Sequence, residues 1–313
     1  MDSISTPIAP HKIMIDRDLL KVLSAPAPAR LLAQTALEWS WIFLCSAVAI
    51  NFDNWPINLI CMLVIATRQH ALLVLMHEFS HYQFSRKHAY WNDLLGDVLT
   101  AFPFLITVHG FRRNHLLHHR HAWTAHDPNY LAAIKKPQYQ FPKSRPQLLL
   151  EIFKHSLGYY TLSELKRYTI SAGMAVSLPR PVHIHRVIFT AIFIFTISHF
   201  DLWRAVLLFW ITPMATFLMA ILYVRDLGEH FGLPKACFAS ARTVRAKWPE
   251  RFLIAQNGVN FHADHHRFPS VPFFRLHALH LALMDAQVKQ KSAVVTDGYL
   301  TGLVAELSHA AKT

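Results

Sequence analysis

The sequence predicts an all-α integral membrane protein: four transmembrane helices under a cytoplasmic helical cap that holds a histidine-rich di-metal site. Three observations lead there. Hydrophobic residues make up 53% of the 313 and charged residues only 16%, where a soluble domain carries about 25% charged. Four apolar stretches approach the ~20 residues that cross a bilayer. Three histidine clusters stand beside such stretches: His77-Glu78-Phe79-Ser80-His81, His115-Leu116-Leu117-His118-His119 and His262-Ala263-Asp264-His265-His266.

Residues 1–30 read as a polar leader ending at Pro26 and Pro28, without the early apolar core of a cleavable signal peptide. The membrane domain is expected over 31–280. Its first span runs over 31–50, with Trp39 and Trp41 as interfacial anchors, and the short turn 51–56 leads into the second, 57–78. The helix of this second span continues to about His81 and carries the first histidine cluster on its far end. Arg68 within it is costly in lipid and is expected to face the bundle interior. His70 shares a face with His77 and His81 and reads as a helix–helix hydrogen bond, in preference to a substrate or proton path. The apolar segment 94–108 contains Gly96, Asp97 and Pro103 and is short for a crossing, so a re-entrant or interfacial course is expected. Residues 131–180, with Pro137, Pro142 and Pro146, read as helices lying on the membrane surface. Spans three and four are expected at 182–198 and 204–224, and the remainder, from Leu276 to about Ala305, as amphipathic helix, with 281–313 a cytoplasmic helix and tail.

The turns 51–55 and 199–203 contain no Lys or Arg, while the long segments on the other side are rich in both. The positive-inside rule then puts both termini and all three clusters in the cytoplasm. The net charge of +12 fits a basic face against anionic headgroups. It also suits an acidic protein partner. Nucleic acid is excluded as the partner, because the basic residues form no binding motif and the apolar spans argue against it. Cys45, Cys61 and Cys237 make no metal spacing and read as small buried hydrophobes.

Residues three or four apart on a helix share a face. Each cluster therefore aims two or three imidazoles at one place, and neutral imidazole is a good transition-metal ligand. His230 leaves the fourth span on the same side as His77 and His81 and counts as a ninth ligand. Asp226, one turn earlier on the same face, is a candidate to join the site directly or through water. The candidate ligands are His77, His81, His115, His118, His119, His230, His262, His265 and His266. One zinc takes four ligands, so two ions with four or five histidines each would use them all. Histidine-rich, thiolate-free coordination suits iron, with zinc, copper and nickel also chemically possible. Two irons at a membrane edge point to O2 activation and attack on an unactivated C–H bond.

HEFSH, NHLLHH and NFHADHH resemble the boxes of the membrane fatty acid desaturase superfamily. So do GEH after the last span, Asp127-Pro128-Asn129, and the segment from Phe268 to Leu276. The resemblance covers about residues 57–280. It implies a mushroom-shaped helical protein with two irons held by the nine histidines, and reaction with O2 and two electrons from a separate donor of ferredoxin, rubredoxin or cytochrome b5 type. Some relatives have an Asn, touching an iron through water, at the place of Asp226. Desaturation of an acyl-lipid, acyl-CoA or acyl-carrier-protein substrate is the first expectation, with acyl hydroxylation or carotenoid ketolation the alternative. His121 and His126 have no matching ligand role. Arg112, Arg113, Lys135, Lys136, Lys143 and Arg145 are candidates for docking an acidic donor or for contact with lipid headgroups.

HEFSH also fits the H-E-x-x-H zinc protease pattern, with Glu78 as general base. That reading leaves two HxxHH boxes idle. A metal carrier would need polar ligands along its spans, whereas the boxes cluster at the span ends.

Overall fold

The computed structural model describes residues 15–233, 240–290 and 294–309, with only the backbone described for 285–290. Cys237 and the first part of the leader, 1–14, lie outside the described residues. Four helices are long and apolar enough to cross a membrane: Pro28–Phe52, Trp55–Ser80, Arg180–His199 and Trp203–His230. Each expected span falls inside one of them.

The leader is not wholly irregular. Asp16 caps a helix α1, Arg17–Leu23, by accepting from Leu19 N–H at 2.8 Å. Its Leu23 is buried with Phe261, Val271 and Leu279 beside the third histidine box. The first span, α2 (Pro28–Phe52), starts on a proline already set to a helical φ. The second, α3 (Trp55–Ser80), is capped by Asn54 and begins with Pro56 in its first turn. The two pack as a hairpin through Ile42, Cys45 and Ala49 against Cys61, Ile65 and Leu72. Arg68 faces the interior as expected, its Nη1 3.0 Å from Glu38 Oε2 and its Nη2 donating to Phe252 O. His70 takes the structural role, Nδ1 at 2.6 Å from Gln256 Oε1.

The segment 94–108 is sharply bent. Helix α4, Ala89–Gly96, runs on through a π turn and a 3-10 turn to Phe104. Leu105 then adopts a left-handed conformation, and the chain turns 89° into α5, Val108–His121. Asp97 Oδ1 accepts from Val108 N–H at 2.7 Å and Thr107 caps α5, so the corner is closed by side chains. Helices Arg145–Ser156 and Thr161–Ser171 expose Leu149, Leu150, Phe153, Leu162 and Leu165, and bury His155, Glu164 and Arg167. Such one-sided faces suit an interfacial position. The fourth span carries a π turn at Leu207–Ile211 and a break at Thr216, after Pro213 removes a helix hydrogen bond.

The C-terminal region corrects the expectation of one helix from 276 to about 305. Helix Leu276–Gln290 is followed by a strand, β2 (Val294–Thr296), which pairs in parallel with β1 (Arg242–Val244). The β-branched run Val294-Val295-Thr296 favours this over helix. The strand brings Tyr299 against Gly228, where an added Cβ would stand 2.6 Å from the ring. The tail thus closes onto the helix that presents His230.

Candidate metal centre

The end of α3 delivers His77 on its last turn and His81 at its C-cap. Helix α5 presents His115, His118 and His119 from one face, and the short helix His262–Arg267 presents His262, His265 and His266. His230 ends the fourth span. All nine imidazoles converge, and they sort into two groups. His77, His81, His115, His119 and His265 form one, and His118, His230, His262 and His266 the other; within each, one donor atom per residue lies within 4.8 Å of every other. Each HxxHH box is shared between the groups. His115 and His119 go one way and His118 the other, while His262 and His266 part from His265.

The residues fit metal ions. Nε2 atoms face each other at 3.0 Å for His81 and His115, 2.9 Å for His115 and His119, 3.1 Å for His119 and His265, and 2.9 Å for His230 and His262. Adjacent nitrogens around one ion, with bonds of about 2.1 Å, stand roughly 3.0–3.4 Å apart. His266 Nε2 is buried without a hydrogen-bond partner, which is costly unless a ligand takes it. Burial pushes the His81 imidazole down to about 3, with the Arg112 charge adding to it. Burial, then the neighbouring imidazoles, push His262, His265 and His266 well below the usual range. All are therefore neutral at physiological pH, the form that coordinates metal.

Outer partners orient the rings. Asp127 Oδ2 lies 2.9 Å from His118 Nδ1. Burial alone would raise the Asp127 carboxyl; His118 and the N–H groups of Trp123 and Asn129 hold it below its ordinary value. His230 Nδ1 stands 2.7 Å from Ser240 O. Glu229 Oε1 is 3.4 Å from His262 Nδ1 and accepts from Arg225 Nε at 2.6 Å. Glu78 Oε1 is 3.4 Å from His77 Nδ1, and its Oε2 accepts from Phe273 N–H at 2.8 Å. These contacts fix which nitrogen of each ring is free for metal.

Asp226 stands apart from the two imidazole groups. Its Oδ2 accepts from Arg167 and from Tyr168 Oη, outside both groups. The carboxylate beside the site from this helix is Glu229, three residues on, a place the spacing to His230 alone did not single out. His121 and His126 stand near each other with ring centroids 5.6 Å apart, also outside the groups. Three of the six basic residues considered for donor docking are engaged internally. Arg112 pairs with Asp93, Lys136 binds Ser163 and Glu164, and Lys143 donates to carbonyls of Pro137 and Gln140. Arg113, Lys135 and Arg145 remain exposed.

A small cavity reaches both groups, lined by His77, Glu78 and His265 on one side and His262, Arg225 and Asn257 on the other, with Val74, Val259 and Leu276 as its apolar wall.

The sequence is similar to those of known proteins. Residues 53–298 match the family model for Fatty acid desaturase. Dihydrorhizobitoxine desaturase of Bradyrhizobium elkanii is 24% identical over 283 residues, which cover 85% of this chain and 79% of that protein. The sn-1 acyl-lipid omega-3 desaturase (ferredoxin) of Nostoc sp. (strain 36) is 33% identical over 99 residues, 32% of this chain and 27% of that protein. The family match takes in three of the four long apolar helices and all nine converging histidines, and with it the chain belongs to the fatty acid desaturase family.

Proposed function

We propose that this enzyme introduces a double bond into the acyl chain of a lipid, using two irons, O2 and two electrons from a separate ferredoxin-type donor. The observation that carries the reading is the convergence of nine imidazoles into groups of five and four at the ends of apolar helices. The reaction balances as one CH2–CH2 unit, one O2, two electrons and two protons giving one CH=CH unit and two waters. Iron bound by the imidazoles would supply the O2 chemistry. The chain's own part is to orient those imidazoles, through Asp127, Glu229 and the Ser240 carbonyl. A small cavity with an apolar wall adjoins both groups of imidazoles.

Both relatives carry the name desaturase, which favours desaturation over hydroxylation or ketolation. The Nostoc relative's name supports an acyl-lipid substrate and a ferredoxin donor. The lysine- and arginine-free turns 51–55 and 199–203 support a site on the cytoplasmic side. A zinc protease is disfavoured. It would leave six box histidines idle, and Glu78, its required base, is held by the Phe273 amide.

Expression with a ferredoxin and its reductase, followed by mass spectrometry of the lipids, tests the reading. Acyl chains lighter by two hydrogens are expected. Chains heavier by one oxygen would replace desaturation with hydroxylation, and an unchanged lipid profile with iron-loaded protein would reject an acyl substrate.

A further inference from the structure

The second histidine box faces two ways. His115, His118 and His119 occupy the inner face of α5. Arg113, Leu116, Leu117 and Arg120, spaced three and four apart, form the opposite stripe. Leu116 is 51% exposed and Leu117 40%. Arg113 and Arg120 are exposed and make no ion pair among the described residues. Arg112, between the two faces, is buried against Asp93 and the carbonyls of Phe79 and Ser80. The helix therefore keeps one arginine for its own packing and leaves two unpaired around a leucine pair.

We propose that Arg113, Leu116, Leu117 and Arg120 are the docking surface for an acidic, one-electron iron–sulfur protein. This rests on the desaturase reading above. A helix with its side chains is about 10–12 Å across. A donor seated on the stripe stands about one helix diameter from imidazoles of both groups, since α5 contributes to each. An apolar centre flanked by arginines is the composition of a protein contact. A patch this small suits the brief encounters of electron-transfer partners. Lipid headgroups would be attracted by the same arginines, but nothing in their binding calls for the back of a ligand-bearing helix. Two donor molecules are oxidised per turnover, each giving one electron. Together with two electrons and two protons from the substrate and two solvent protons, they reduce one O2 to two waters.

The test compares the iron-loaded enzyme with its Arg113→Glu/Arg120→Glu variant in detergent, using a plant-type [2Fe–2S] ferredoxin as probe. Ferredoxin binding is expected to weaken roughly tenfold or more in the variant, and to lose most of its salt dependence. Iron content, and turnover driven by dithionite through a small viologen, are expected to stay at the parent level. A second variant, Leu117→Ser, removes the apolar centre and is expected to weaken ferredoxin binding without altering the salt dependence. Unchanged ferredoxin binding in the charge-reversed protein overturns the proposal. Unchanged ferredoxin binding with reduced partition onto anionic vesicles overturns it in favour of a headgroup contact. Binding is read directly, so a failure of the desaturase reading appears separately, as absent turnover with either reductant.

Discussion

The four-histidine group is braced from outside, while the five-histidine group leans mostly on itself. In the first, His118 rests on Asp127, His230 on the Ser240 carbonyl and His262 on Glu229, which Arg225 holds in turn. In the second, His77 has the carboxylate of Glu78 nearby, and the Nδ1 atoms of His119 and His265 are buried without hydrogen-bond partners among the described residues. The first is also the more buried of the two. Outer partners fix the tautomer and raise the basicity of a ligating imidazole. The braced group is thus ready for metal before metal arrives, and the other must settle its rings as it binds. Metal titration of the stripped protein should show two steps, with the tighter site disappearing in His262→Ala and the weaker in His81→Ala.

The largest effects fall on the ligands themselves. His118→Ala, His265→Ala and His81→Ala should each abolish turnover and lower bound iron, measured by metal analysis of the purified protein. Full activity with intact iron in any one of them would sink the assignment of that residue. Asp127→Asn comes next. Asparagine keeps the shape and removes the charge that steadies His118, so metal affinity at the braced group should fall about 10–100-fold. Equal loss from both groups would mean that the bracing is not local.

Acid should separate the groups further. His81 titrates in the folded protein at about 3, and His262, His265 and His266 also lie well below their ordinary range of about 6.5. Between those limits the unfolded chain binds protons that the folded chain does not, so stability is complete above about pH 6.5 and declines as pH falls. The metal-free protein in detergent should therefore lose stability from pH 7 to pH 5, by on the order of 1 kcal/mol per imidazole, read as a fall in melting temperature. Protons also compete for the metal-binding nitrogens. With metal bound, the five-histidine group should lose its ion first on acidification, and simultaneous release from both would erase the difference in bracing.

Much of this was legible in the residues. The apolar spans are long enough to register above any local noise, and a histidine box states its geometry through spacing alone, so the ligand candidates and the helices that carry them could be named in order. The sorting of each box between two groups was less accessible. It depends on how α5 and the helix His262–Arg267 cross, and no local period records a crossing. The same holds for the parallel pairing of β1 with β2. These are three-residue strands some fifty residues apart, and from sequence the second passed for the interior of a helix. Arg112 and Arg113 make the point at single-residue scale. They are adjacent and identical, yet one is locked to Asp93 and the other faces out.

Asp226 and Glu229 give the finest test of the comparison, because both come from one helix turn near His230 and only one meets a site histidine. Asp226 binds Arg167 and Tyr168, and Arg167 keeps a second carboxylate in Glu164. Asp226→Asn should therefore cost about 1–2 kcal/mol of stability, read as a lower melting temperature in detergent, with metal affinity at both groups unchanged. Glu229→Gln removes the charge between Arg225 and His262 and should weaken the braced group while sparing the other. If Asp226→Asn instead lowered metal affinity as much as Glu229→Gln, bracing would extend beyond the side chains in direct contact with the imidazoles. The contrast between the two groups would then rest on the charge of the whole helix end.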